Sequence, residues 1–139
     1  MKKKLKKIKN IKLEAWRVFA FKMRQKGAIS GAIKCITCHR IYPIGDSALN
    51  AGHFKHGKWK LSGFYENNVW PQCVFCNCGG GKNSSGDMIT EIYESVLKSK
   101  LGVDEVEHIK HLSKTLWKPT RDELAEIINK YTSLTKLIE

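Results

Sequence analysis

The chain has 139 residues, 42% of them hydrophobic, with 25 Lys and Arg against 13 Asp and Glu and a formal charge of +12. That length fits one domain, and that apolar content excludes a disordered polyelectrolyte. No run approaches the roughly 18 apolar residues of a membrane span, and a charge this positive points to a polyanion, most often nucleic acid, as partner.

Residues 1–10 form a basic arm, with Lys2, Lys3, Lys4, Lys6, Lys7 and Lys9. Dense like charge predicts a flexible segment that seeks phosphate. No apolar segment of the secretory type follows it, so a cytoplasmic location with reduced thiols is expected. From Ile11 the apolar spacing predicts a helix: Leu13, Trp16, Ala20 and Met23 share a stripe that Val18 and Phe19 widen, and Gly27 stops it. Residues 28–65 change character. Gly, Pro and Asn break short apolar runs, which reads as strands and loops. Helical periodicity returns after residue 85. Ser85 or Asp87 is placed to cap a helix carrying Ile89, Ile92, Tyr93, Val96 and Leu97, ended near Gly102. Asp104 with Glu107 predicts a capping box, and Thr120 with Glu123 a better one. The latter opens a helix with Leu124, Ile127, Ile128, Tyr131, Leu134 and Ile138 on one face, for packing within the domain or against a second copy.

Five cysteines in a reduced compartment suggest metal ligands. Cys35-Ile36-Thr37-Cys38 and Cys73-Val74-Phe75-Cys76 each present two thiolates from a tight knuckle, and two knuckles supply the four sulfurs of a tetrahedral zinc site. A redox motif accounts for one such pair but not for two. Residues 39–72 separate the knuckles, so something is inserted between them. That insert holds Ala51-Gly52-His53-Phe54, and Asn68 precedes the second knuckle by five positions. Asn77 follows it at once. His53 is open to reading as a loop residue, a zinc ligand or a catalytic base, and His39 as a spare ligand. Cys78 falls outside the pattern as a free thiol without a role. The run Cys78 to Gly86, with Gly79, Gly80, Gly81 and Lys82, is a plain mobile loop or a phosphate-contacting one. It lacks the spacing of a nucleotide-binding P-loop.

C-x-x-C, Gly-His, then Asn-x4-C-x-x-C-Asn resembles the signature of the four-cysteine HNH nucleases. More narrowly, Ala15-Trp16-Arg17, Cys-x-x-Cys, Ala-Gly-His-Phe, Gln-Cys-x-x-Cys-Asn and the stretch from Trp117 through Thr120 to Glu123-Leu124 resemble the NinG (Rap) family of lambdoid phages. The cysteine-to-histidine arrangement is also similar to endonuclease VII. The resemblance covers about Leu13 to Tyr131. It implies an α+β fold with a Zn-stabilised ββα-metal core over 28–101, flanked by an N-terminal helix over 11–27 and C-terminal helices over 103–139, all one domain of residues 11–139. It implies a metal-dependent DNA endonuclease acting in the host cytoplasm on branched DNA such as Holliday junctions. The alternatives are a general nicking or packaging-associated HNH nuclease, and a zinc-stabilised DNA-binding protein without catalysis.

The same resemblance implies the roles. Cys35, Cys38, Cys73 and Cys76 would hold structural zinc. His53 would be the general base, Asn77 an oxygen ligand for catalytic Mg²⁺ or Mn²⁺, and Asn68 a support for the histidine loop. The ion would neutralise the scissile phosphate and stabilise the leaving 3′-oxygen. Lys55, His56, Lys58 and Lys82 join the arm as DNA contacts. One place departs from the pattern: many HNH enzymes carry an acid directly before the histidine, where this chain has Gly52. Asn50, Asp46 and Asp87 are candidate substitutes, with Asn50 preferred. Two paired cuts in a two-fold junction suggest a homodimer.

Overall fold

The structure is a computed structural model that describes residues 4–79 and 86–136. It is α+β, with two small antiparallel sheets and helices at both ends. The backbone groups into two compact units, residues 1–22 with 118–139 and residues 23–117. The cause is long-range pairing: the first and last helices pack on each other, which spacing along the chain cannot report.

The terminal unit is built on α1 (Ile8–Met23) and α5 (Arg121–Lys136). α1 starts inside the predicted arm, so only residues 4–7 of the described arm are irregular. The buried positions of α1 are Ala15, Phe19, Ala20 and Met23, whereas Leu13 is 60% exposed and leaves the expected stripe. Phe19 meets Tyr131 of α5 edge-on, ring centres 5.1 Å apart, a favoured aromatic geometry. The apolar stripe of α5 is therefore used, at Leu124 and Tyr131, in packing within the chain. The Thr120 capping box forms in full. Thr120 Oγ1 accepts from Glu123 N and Glu123 Oε1 accepts from Thr120 N, both at 3.2 Å. Ile138 lies outside the described residues.

The larger unit carries β1 (Ala32–Lys34), β2 (Ile41–Pro43), β3 (Leu49–His53), a 3-10 turn (Glu66–Asn68), β4 (Val69–Cys73) and the short α2 (Val74–Asn77). After residue 85 come α3 (Gly86–Leu101) and α4 (Val103–Leu112). β1 pairs with β2, and β3 pairs with β4 from Leu49 opposite Cys73 to His53 opposite Val69. Tyr93 and Leu97 of α3 and Val106 and Ile109 of α4 are buried with Ile36 and Phe54 in one core. Asp87 lies in the first turn of α3, and its rival cap Ser85 is outside the described residues. The predicted Asp104–Glu107 box does not form. Gly102, at φ 90°, occupies the cap of α4, and Glu107 bonds Lys110 instead at 3.1 Å. Among the described residues no helix is long and apolar enough to cross a membrane.

Candidate functional site

The two knuckles close on each other through backbone bonds. Ile36 N donates to Pro71 O of β4 at 2.8 Å, and Val74 N donates to Ala48 O at 2.8 Å. This places Cys35, Cys38, Cys73 and Cys76 with all four Sγ atoms within 4.8 Å of one another. Cys38 and Cys73 sulfurs are 3.8 Å apart. That matches the edge, about 3.8 Å, of a tetrahedron with arms of roughly 2.3 Å, the zinc–thiolate length. It is far beyond a disulfide bond, and all five cysteines are free. Cys73 N donates to Cys35 Sγ at 3.3 Å and Cys76 N to Cys73 Sγ at 3.5 Å.

Burial pushes the Cys35 thiol up, but the backbone N–H groups of Cys38, Cys73 and Thr37 and the Thr37 hydroxyl outweigh it and bring Cys35 down to about 6. Burial and the neighbouring sulfurs push Cys76 up to about 12. Four sulfurs this close cannot all ionise without a cation between them, so the cluster fits a structural metal such as zinc. His39 is exposed and Cys78 is exposed and outside the cluster.

Beside this frame lies a cleft of about 300 Å³, lined among others by His53, His56, Gln72, Asn77, Asp87 and Tyr93. β3 ends at His53, while Asn77 ends α2 directly behind the second knuckle. The cleft thus brings His53 and Asn77 together, while Asn68 is not among its lining residues. Asn50, opposite Gln72 in the sheet, is not among the lining residues, whereas Asp87 of α3 is. Its separation from His53 in sequence hides that convergence.

His53 bonds through Nε2 to Gly63 O at 2.9 Å. A carbonyl only accepts, so Nε2 carries the hydrogen, and in the neutral ring Nδ1 holds the lone pair. Burial, and then the charges of His56 and Lys58, lower the His53 pKa against the bond to Gly63. Gly63 is needed for packing: a Cβ there would stand 1.8 Å from Lys58 O. Nothing in the spacing of the sequence marks Gly63 as the histidine's partner.

Asn68 is fully buried and pins the loop after His53. Its Nδ2 donates to Lys55 O at 3.0 Å and Ser62 O at 2.9 Å, and its Oδ1 accepts from Lys55 N at 2.8 Å. Asn68→Ala leaves three backbone groups without their partner, each costing about 1–3 kcal/mol if it stays buried. The expected result is a lower melting temperature with zinc content unchanged. A melt identical to wild type would show that the loop holds without this side chain. The loop is fastened along its length too: Trp117 N donates to Trp59 O at 2.8 Å, and the rings of Trp59, Phe64 and Trp117 meet in tilted and edge-on contacts. Tyr93 donates its hydroxyl hydrogen to Gly52 O at 2.6 Å, tying α3 to β3.

Lys55 and Lys58 are half-buried and His56 is exposed, all on this loop beside the cleft. Lys4, Lys6 and Lys7 belong to the terminal unit, where Lys6 pairs with Glu14 at 3.3 Å. Lys2, Lys3, Lys82, Gly80 and Gly81 lie outside the described residues. A second cleft, about 410 Å³, is lined by Lys26, Lys34, Lys100 and Trp70 among others. Lys26 Nζ stands 4.2 Å from the Trp70 ring centre and donates to Val69 O at 2.7 Å. Burial lowers its pKa to about 8. Residues 26, 70 and 100 are far apart in sequence and meet only in the fold.

Comparison with protein families finds that the model for the bacteriophage lambda NinG protein matches residues 1–139. The chain belongs to the NinG family. The match takes in the paired knuckles, His53 and both asparagines of this NinG-family phage protein. Comparison with curated proteins and with solved structures finds no match.

Proposed function

We propose that this NinG-family protein is a metal-dependent DNA endonuclease whose core, β3–β4–α2, is an HNH-type ββα element framed by a four-cysteine zinc site. The observation that carries the reading is the cleft in which His53, held by Gly63 O through Nε2, sits with Asn77 and Asp87. A histidine with its proton fixed on the far nitrogen and a lowered pKa is a base, ready at neutral pH to take a proton from water. The deprotonated water attacks the phosphorus, and the 3′-oxygen leaves. Asn77 and Asp87 offer hard oxygen donors that suit Mg²⁺ or Mn²⁺. A divalent ion held there would neutralise charge on the scissile phosphate. Lys55, His56 and Lys58 flank the cleft and would fix the DNA backbone.

Because the lowered pKa keeps His53 neutral to lower pH than the ordinary value of 6.5, the sign for catalysis is definite. The base form persists below pH 6.5, so cleavage falls only at still lower pH. Single-turnover rates from about pH 5 to 8 test this. An acid limb centred at or above 6.5 would mean that another group is titrating.

The substrate class we favour is branched DNA. The deciding experiment is a cleavage panel over four-way junction, fork, single strand and linear duplex, under Mg²⁺ and under Mn²⁺. Preference for the junction supports the resolvase reading. Equal cutting of all duplexes leaves a general HNH nuclease. Binding without cutting in every condition replaces both with a DNA-binding module. Paired cuts in a two-fold junction call for two sites, so a homodimer on the junction belongs to the same proposal. Light scattering that finds one copy per junction would remove it.

A further inference from the structure

Gly52 has no positive φ to explain it, and its missing side chain has another use. A Cβ at Gly52 would lie 2.2 Å from Gln72 Oε1 and 2.7 Å from Gln72 Cβ. The space in front of position 52 is thus already filled from the neighbouring strand, where Gln72 stands opposite Asn50. Gln72 is 3% exposed, yet it lines the cleft with His53 and Asn77. Its Nε2 donates to Thr37 Oγ1 of the first knuckle at 3.3 Å. With the amide nitrogen turned to Thr37, the oxygen is the end that lies over Gly52. An amide oxygen buried at the wall of a cleft is a hard donor that suits Mg²⁺ or Mn²⁺, not zinc.

We infer that Gln72 Oε1 is a ligand for the divalent ion of this cleft, alongside Asn77, and that Gly52 is glycine to admit it. This rests on the nuclease reading for the use of the ion, but not for the ion's binding. The strand β4 that carries the zinc cysteine Cys73 thereby carries the second ion's ligand one residue earlier. Gln72 and Asn77 are neutral donors, so of the three oxygen donors in the cleft lining Asp87 alone carries charge, and the chain as a whole is strongly basic. The scissile phosphate adds negative charge at the ion, which makes ion and DNA binding mutually reinforcing.

The test is Mn²⁺ binding to the full zinc-loaded chain, by calorimetry and by the Mn²⁺ paramagnetic resonance signal, without DNA. Gln72→Glu places a carboxylate at the same point and is expected to tighten Mn²⁺ binding by about tenfold or more. Gln72→Met keeps the volume, removes the oxygen and is expected to weaken binding by a similar factor. Gly52→Asp with Gln72→Ala exchanges donor and space and is expected to bind at least as tightly as wild type. Zinc content verifies that each variant is folded. If Gln72→Met proves unfolded, the Gln72→Glu and double variants still decide. Equal Mn²⁺ affinity in wild type, Gln72→Glu and Gln72→Met overturns the proposal, as does a loss confined to Asp87→Asn. Wild type that cuts DNA while Gln72 variants bind Mn²⁺ unchanged keeps the nuclease and discards this ligand. Gln72-dependent binding without cutting does the reverse.

Discussion

Replacing His53 by Ala is expected to slow DNA cleavage by about 10²- to 10⁴-fold, the usual contribution of a positioned general base. DNA affinity and zinc content should stay near wild type, because His53 lies at the end of β3, outside the cysteine cluster. The informative comparison is with the basic residues of the same loop. Lys58→Ala removes a phosphate contact under the proposed function. It should weaken binding in a salt-dependent way, and the chemical step should fall less than in His53→Ala. Rates measured at saturating protein separate the two. If His53→Ala cut as fast as wild type once saturated, the base would have to be another group, and the assignment of Nδ1 would fail.

Cys73→Ser is expected to have the largest effect on the fold. Cys73 is buried, pairs with Leu49 at the end of the β3–β4 ladder, and its sulfur accepts from Cys76 N. Structural zinc sites contribute on the order of 10–16 kcal/mol in small metal-folded domains, against a net stability of about 5–15 kcal/mol for ordinary ones. If the cluster holds zinc, losing one of its four ligands is expected to remove most of what holds the larger unit together. We expect bound zinc to fall below one per chain and the cooperative thermal transition to be lost. Strong chelator should produce the same state from wild type. Cys78→Ser, outside the cluster, should change stability by less than about 0.5 kcal/mol. A Cys73→Ser chain with an unaltered melt would show that the sulfurs are not the clamp.

The features legible in the sequence are the ones that local geometry decides. Each C-x-x-C closes within one turn, so the cysteine quartet could be named before any fold was known. The Thr120–Glu123 box needs only three residues of helix, and it forms as expected. The Asp104–Glu107 box failed because Gly102 takes the cap one residue before α4 begins, a choice made by where α3 ends. Leu13 left the α1 stripe because the face that is buried depends on what covers it, and α5 lies more than a hundred residues away in sequence. The division into two units follows from the same pairing.

At the cleft the boundary is sharper. Asn68 and Asn77 stand out in the sequence by their spacing from the second knuckle, and His53 by the Gly before it. Their partners do not: Gly63 holds the imidazole, Asp87 joins from α3, and Gln72 fills the space over Gly52. Those contacts depend on which residue of β4 stands opposite which residue of β3. Register is a tertiary quantity, because one residue of slip would turn every side chain to the other face. The four clustered cysteines and the catalytic candidates were thus set by the chain alone. The oxygen donors around the cleft, and the reason for Gly52, were decided only when the two strands met.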